Sequence, residues 1–304
     1  MAWQKTVRRA VSANGVGIHG GKQVALRLRP APPGTGVVFV RTDLGIAIPA
    51  RAENARDLAY ATTLRLRGAE ARTVEHLMAA VGGVGITNLF VDLSAAEVPI
   101  LDGSALPFVE MIRRAGFVDQ GASLPEMQVR RVVRVGDKER WIELRPAPEL
   151  FVDYLVSYDS PAVGRQRFVG AITPQRFASA IAPARTFGFL EEVASLRRRG
   201  LGLGGSLDNC IVVDRERILS GDLRFRDEFV RHKVLDLIGD LALLEYPLRA
   251  QVVAHRAGHS LHVAVVNELL ASPEAWELLE PDRLAPLTVR PYVGDSEPEA
   301  VAAS

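Results

Sequence analysis

Two short passages recur in the same order along this chain, and a chain that repeats itself has few folds open to it. Val7-Arg8-Arg9-Ala10-Val11 is echoed by Val129-Arg130-Arg131-Val132-Val133, and Leu28-Arg29-Pro30-Ala31-Pro32 returns unchanged as Leu144-Arg145-Pro146-Ala147-Pro148. Each copy of the second motif is followed by a run rich in β-branched and aromatic residues, residues 36–40 and 150–156, which reads as a strand. Two echoes in one order, each closing on a strand, predict two related halves. At 304 residues the chain is long for one core, so two domains are also the natural expectation from size.

Both halves then turn helical. In the first, Thr73 is a candidate N-cap for a helix over residues 74–81 that ends at Gly82-Gly83; a strand at 88–93 follows, and Asp102-Gly103-Ser104 opens another helix. The second half repeats that order with a helix carrying His232, a strand at 251–254, and Gly258-His259-Ser260 before a last helix. The expected division is residues 1–121 and 126–275, joined by a linker over 120–125. The tail at 290–304, small and polar, is expected to be loose.

The chemistry concentrates on one helix. His232 and Asp236 are spaced to share a face, and Asp240 continues that face one turn on. Their neighbours Phe229, Val230, Val234, Leu235, Leu237, Ile238 and Leu241 are apolar, so the polar groups belong to a core helix, where they are costly unless they bind something. A zinc ion that hydrolyses an amide fits. With one cysteine, Cys210, any metal site must use His and carboxylate ligands, and a catalytic zinc wants three protein ligands. Of the six histidines, His76 is the best third ligand because it lies on the corresponding helix of the other half. Glu75 beside it is placed to act as general base. At first sight Asp240 is open to reading as a fourth ligand.

Charge narrows the partners. Lys+Arg and Asp+Glu stand at 37 and 36, so no basic field argues for nucleic acid. The first residues lack a signal-peptide pattern and no stretch is long enough to span a bilayer, from which a cytoplasmic protein without a stable membrane anchor is expected. A Gly-x-Gly-x-x-Gly spacing within residues 200–205 is a decoy for a dinucleotide loop, because a helix-like stretch precedes it and a strand follows. A helix stop with close backbone packing is the better reading, and Arg197-Arg198-Arg199 is expected to be a solvated helix end.

Thr73-Val74-Glu75-His76-Leu77, Ala184-Arg185-Thr186-Phe187-Gly188-Phe189, Gly204-Gly205-Ser206-Leu207-Asp208-Asn209 and His232-Lys233-Val234-Leu235-Asp236-Leu237-Ile238-Gly239-Asp240-Leu241 together resemble the UDP-3-O-acyl-N-acetylglucosamine deacetylases of lipid A biosynthesis. The resemblance runs from about Val7 to about Leu270, and Gly258-His259 also matches. It implies an α+β fold of two domains of like topology, each a sheet layered against helices, with the active site at the cleft between them. One Zn2+ per chain would be held by His76, His232 and Asp236, with Glu75 as base. Thr186 would help hold the oxyanion, His259 would act as the second catalytic histidine with Asp240 as its partner, and Lys233 would point along the cleft toward substrate. Ile18, Phe187, Phe189, Leu190 and Val193 would line the substrate cleft and an acyl-chain passage. Tyr158 and Arg140 are looser matches to nucleotide-contacting positions. The implied substrate is acylated UDP-N-acetylglucosamine, and a monomer is expected.

Overall fold

The computed structural model describes residues 3–281, so the tail expected at 290–304 lies outside the described residues. Two five-stranded sheets carry the fold, and they share one plan. In the first the spatial order is Val11–Val16, Gln23–Pro30, Leu89–Leu93, Val37–Arg41, Ile46–Pro49; in the second it is Val133–Gly136, Trp141–Arg145, Gln251–His255, Phe151–Ser157, Arg165–Ala171. The central strand of each sheet is antiparallel to one neighbour and parallel to the other. Leu28 faces Val91 and Leu144 faces Val252 across the antiparallel pairs, while Val37 aligns with Leu89 and Phe151 with Gln251 across the parallel ones. The Leu-Arg-Pro-Ala-Pro echo therefore falls on matching strands, and the fold is α+β with two units of like topology.

Period-two patterning decides which face of each sheet is covered. Along Gln23–Pro30, Val24, Leu26 and Leu28 are buried while Gln23, Ala25 and Arg27 are exposed. The apolar face must be covered, and helices do it. The first unit supplies α1 (Glu75–Gly83) and α2 (Leu106–Ala115). The second supplies a short turn α3 (Pro174–Arg176), then α4 (Leu190–Arg198), α5 (Glu228–Leu241) and α6 (His259–Ala271). Of these, α5 packs on Phe151–Ser157 and Arg165–Ala171, and α6 on Val133–Gly136 and Trp141–Arg145.

Each unit inserts a segment between its outer strand and its central helix. In the first it is a small sheet of Ala55–Arg56, Thr63–Leu66 and Ala69–Ala71; in the second it holds α3, α4 and the parallel pair Phe187–Phe189 and Ile211–Val213. Both inserts supply residues to the site described below.

The two central helices, α1 and α5, pack on each other. All of α1 except Gly82 is buried, as is all of α5 except Arg231 and Lys233, so both are core helices with polar residues enclosed. Their spacing is set by Gly239, where a Cβ would lie 2.1 Å from the carbonyl oxygen of Glu75. Only a residue without a side chain allows that approach.

Two local expectations change. Residues 120–123 of the expected linker belong to a strand, Phe117–Ser123, that pairs with Trp3–Val7; chain termini and junctions are ordered when a neighbouring strand takes up their backbone hydrogen bonds. Thr73 does not cap α1: Val74 occupies the N-cap, and Thr73 takes a left-handed φ of 55° while its hydroxyl donates to Glu97 Oε1 at 3.1 Å. The arginine run closing α4 is exposed, as expected of a solvated helix end, and Arg199 donates to the Tyr60 hydroxyl at 2.8 Å.

Gly239→Ala must force α1 and α5 apart, and overpacking of this kind costs roughly 1–3 kcal/mol. Urea unfolding of the variant against wild type is expected to show a lower midpoint with an unchanged slope.

Candidate functional site

Three side chains from the two central helices converge where α1 and α5 cross. His232 Nε2 lies 3.3 Å and His76 Nε2 3.7 Å from Asp236 Oδ1, with the imidazole rings edge to face at 4.9 Å. The i, i+4 spacing puts His232 and Asp236 on one face of α5; His76 arrives from the other unit. His232 Nδ1 donates to the Ala184 carbonyl at 3.1 Å, which leaves the Nε2 lone pair turned into the cluster. Asp236 Oδ1 and His76 Nδ1 are buried with no hydrogen-bond partner.

That donor set fits a divalent metal ion. The atoms of His76, His232 and Asp236 lie within 4.8 Å of one another. Burial lowers the pKa of His76 to about 3, with His232 next in effect, and burial also lowers that of His232, so both rings are neutral, as metal ligation requires. Burial opposes ionisation of Asp236, but the positive charges beside it, those of Lys233 and His259 among them, outweigh it and hold the carboxyl well below its ordinary range. A buried carboxylate with an orphaned oxygen facing two imidazole lone pairs is costly unless a cation joins it. Two neutral nitrogens and one carboxylate oxygen suit zinc, with a position left open for chemistry.

A second constellation adjoins the first. Glu75 Oε1 and Asp236 Oδ2 each lie 3.8 Å from His259 Nε2. At its other nitrogen, His259 Nδ1 donates to Asp240 Oδ2 at 2.8 Å. Burial pushes the Glu75 carboxyl up to about 7, against the opposing charge of His259. Burial alone would lower the pKa of His259, but Asp240, Asp236 and Glu75 raise it to about 9. A group able to accept a proton near neutrality thus faces one able to give a proton up.

Two cavities open from this point. An apolar space of about 390 Å³ borders Glu75, His76 and Thr186 and is lined by Ile18, Phe187, Phe189, Leu190 and Val193 among others. A more polar space of about 290 Å³ shares Glu75, His76, Thr186 and the Phe187–Phe189 strand with it and adds Arg140, Tyr158, Lys233 and His259. Lys233 lines the polar space, and its ammonium donates to Asp236 Oδ2 at 2.8 Å and lies 5.4 Å from the centre of the Phe187 ring.

Loops that look featureless in the sequence hold these walls. Glu97 accepts the N–H groups of His19 and Gly20, each at 2.7 Å, and so fixes the loop that carries Ile18. Gly204 lies against the same loop, its N–H donating to the Ile18 carbonyl at 3.0 Å; a Cβ there would be 2.2 Å from the Gly17 oxygen. Close backbone packing is thus what the glycine run after α4 provides. On the other wall, buried Glu228 accepts from Arg185 N at 3.0 Å and Nε at 2.9 Å, securing the segment that presents the Ala184 carbonyl to His232.

A sequence model of the UDP-3-O-acyl N-acetylglycosamine deacetylase family matches residues 4–271. The chain belongs to this family. Similar proteins named UDP-3-O-acyl-N-acetylglucosamine deacetylase include one from Hahella chejuensis (strain KCTC 2396), 45% identical over 284 residues that cover 92% of this chain and 94% of the relative. One from Shewanella sp. (strain W3-18-1) is 41% identical, covering 95% and 96%, and one from Haemophilus influenzae (strain 86-028NP) is 42% identical, covering 92% and 93%.

Within this deacetylase-family site, three residues escaped the sequence reading. His262 donates from Nδ1 to Asp240 Oδ2 at 2.9 Å and accepts from the Tyr154 hydroxyl at 2.9 Å, since an ionised carboxylate only accepts. Thr62 donates to the other Asp240 oxygen at 2.6 Å. The i, i+3 spacing of His259 and His262 is a signal for the first of these. Nothing local marks Tyr154 or Thr62, which come from a strand and an insert far away in the chain. Asp240, His259 and His262 also lie close enough to hold a metal, but both Nδ1 atoms are already engaged with Asp240 Oδ2.

The two clusters are separable by metal analysis. By elemental analysis wild type is expected to carry a stoichiometric divalent metal, His76→Ala and His232→Ala to lose it, and His262→Gln to retain it.

Proposed function

We propose that this chain hydrolyses the N-acetyl group of UDP-3-O-(3-hydroxyacyl)-N-acetylglucosamine, giving UDP-3-O-(3-hydroxyacyl)-glucosamine and acetate, the committed step of lipid A biosynthesis. The observation that carries this reading is a proton acceptor, Glu75, and a proton donor, His259, facing each other at 3.8 Å beside a three-ligand set. Family membership and the deacetylase names of the relatives support the substrate. The apolar space beside Glu75 suits an acyl chain, and the polar space with Tyr158 and Arg140 suits the nucleotide end.

His76, His232 and Asp236 are the residues to hold one zinc ion per chain; when bound, zinc supplies Lewis acidity toward water and the acetamide carbonyl. Glu75 takes the proton from the attacking water. The hydroxyl of Thr186, on the wall shared by both cavities, donates to the oxygen that gains negative charge as the carbonyl becomes tetrahedral. His259 stabilises that charge and gives its proton to the departing glucosamine nitrogen, so that the amine leaves neutral and acetate is released. Asp240 favours the cationic form of His259 and fixes its ring. Lys233 acts through Asp236, whose second oxygen it neutralises.

Further parts of this reading are a division into units at 1–121 and 126–275 with substrate taken between them, a monomeric state and a cytoplasmic location. Among the described residues no helix is long and apolar enough to cross a membrane.

Acetate release from the acylated UDP-sugar, with metal analysis of the same sample, is the test. Wild type is expected to turn over and a zinc-stripped sample to be inactive until zinc is restored; undiminished activity without zinc overturns the scheme. Glu75→Gln is expected to lose about 10²–10⁴-fold in kcat with metal retained, the range for removing a general base. Because His259 acts protonated, activity is expected below its pKa of about 9 and lost as pH rises through it. Asp240→Asn removes the carboxylate that raises that pKa, so the alkaline limb of the kcat/KM profile is expected to move to lower pH.

A further inference from the structure

Thr62 stands just before the strand Thr63–Leu66, fully buried, with every polar atom directed at the site. Its N–H donates to Glu75 Oε2 at 3.0 Å, and its carbonyl accepts from the N–H of Val74, the N-cap of α1, at 3.2 Å. Its hydroxyl donates to Asp240 Oδ1 at 2.6 Å, and the same oxygen lies 3.3 Å from His259 Nδ1. A hydroxyl has one hydrogen and an ionised carboxylate only accepts, so that hydrogen goes to Asp240. The hydrogen on His259 Nδ1 goes to the other oxygen of Asp240.

The spacing between the proposed base and acid gives these contacts their meaning. Glu75 Oε1 and His259 Nε2 are 3.8 Å apart, beyond hydrogen-bond distance yet close enough for a small displacement to join them. A direct ion pair would consume both functions at once: the base would have its lone pair occupied and the acid its proton. Thr62 restrains each partner from the opposite side. Its amide holds Glu75 Oε2 and leaves Oε1 facing the gap; its hydroxyl turns the Asp240 carboxylate so that Oδ2 meets His259.

We propose that Thr62 is a positioning residue that keeps the base on α1 and the acid on α6 apart at working distance, coupling the two units through one side chain. That role rests on the deacetylase reading above and deepens it. The alternative is a buried threonine that only satisfies local backbone and packing.

The test compares Thr62→Val, which keeps the size and the backbone groups, with Thr62→Ser, which keeps the hydroxyl. Thr62→Val is expected to lower kcat about 10–100-fold, the scale of loss for a misplaced catalytic group, with KM and bound zinc unchanged. Thr62→Ser is expected to recover most of that loss. In an Asp240→Asn background the valine substitution should add little, because the hydroxyl then acts on a partner already removed. A readout independent of turnover is the downfield NMR resonance of His259 Nδ1–H, assigned by its loss in His259→Gln; it is expected to shift in Thr62→Val and return in Thr62→Ser. Should Thr62→Val fail to fold, Thr62→Ala carries the same expectations. Unchanged kcat in the valine variant, equal losses in valine and serine variants, or multiplicative losses with Asp240→Asn overturn the proposal. Wild-type inactivity on the acylated UDP-sugar overturns the deacetylase reading instead. The resonance then decides alone, and an unmoved line in Thr62→Val overturns the role of Thr62.

Discussion

The contact between α1 and α5 at Gly239 is the constraint on which the rest of the molecule depends. Glu75 and His76 open one helix, and His232, Asp236 and Asp240 line the other; neither set is a site alone. The backbone of Glu75 rests against Gly239, between Asp236 and Asp240 on α5, at a distance that excludes any side chain. That approach brings the His76 imidazole and the Glu75 carboxylate of one unit within 4 Å of groups on the other. Two sheets of identical strand order matter because they present the two central helices to each other.

Burying so many ionisable groups is tolerated because they divide into two compatible sets. The imidazoles of His76 and His232 are held neutral by burial, with lone pairs turned toward Asp236, an arrangement that only a cation completes. Asp240 is the reverse case, a carboxylate saturated by donors: Thr62 on one oxygen, His259 and His262 on the other. Both of its oxygens are engaged within the protein, and it stays ionised. The same element type at 236 and 240 thus has opposite duties, decided by whether protein donors or lone pairs surround it.

The proposed function places its chemistry at the junction of the two inserts with this buried core. The first-unit insert brings Tyr60 and Thr62; the second brings Thr186 to Leu190 and the helix behind it. Their walls are fastened by buried carboxylates, Glu97 on the Ile18 loop and Glu228 on Arg185, so the cavities are shaped by rigid segments. An apolar and a polar space meeting at Glu75 and Thr186 is the form expected of a site that receives an amphipathic molecule.

The sequence by itself determined the local geometry and the duplication. An i, i+4 spacing fixes which side chains share a helix face, whatever that helix later meets, so His232, Asp236 and Asp240 were legible as one stripe. Echoed motifs likewise place Leu28 and Leu144 on matching strands, because register follows from pattern. Only the tertiary structure decided what those faces oppose. Thr62 and Tyr154 reach Asp240 across long stretches of chain, Thr73 gives up a cap to bind Glu97, and Lys233 folds back onto Asp236. Each is a choice between partners that spacing cannot rank. It depends on which desolvated charge lies nearest once the helices have closed, and that distance is set by a contact as non-local as a glycine against another helix's carbonyl.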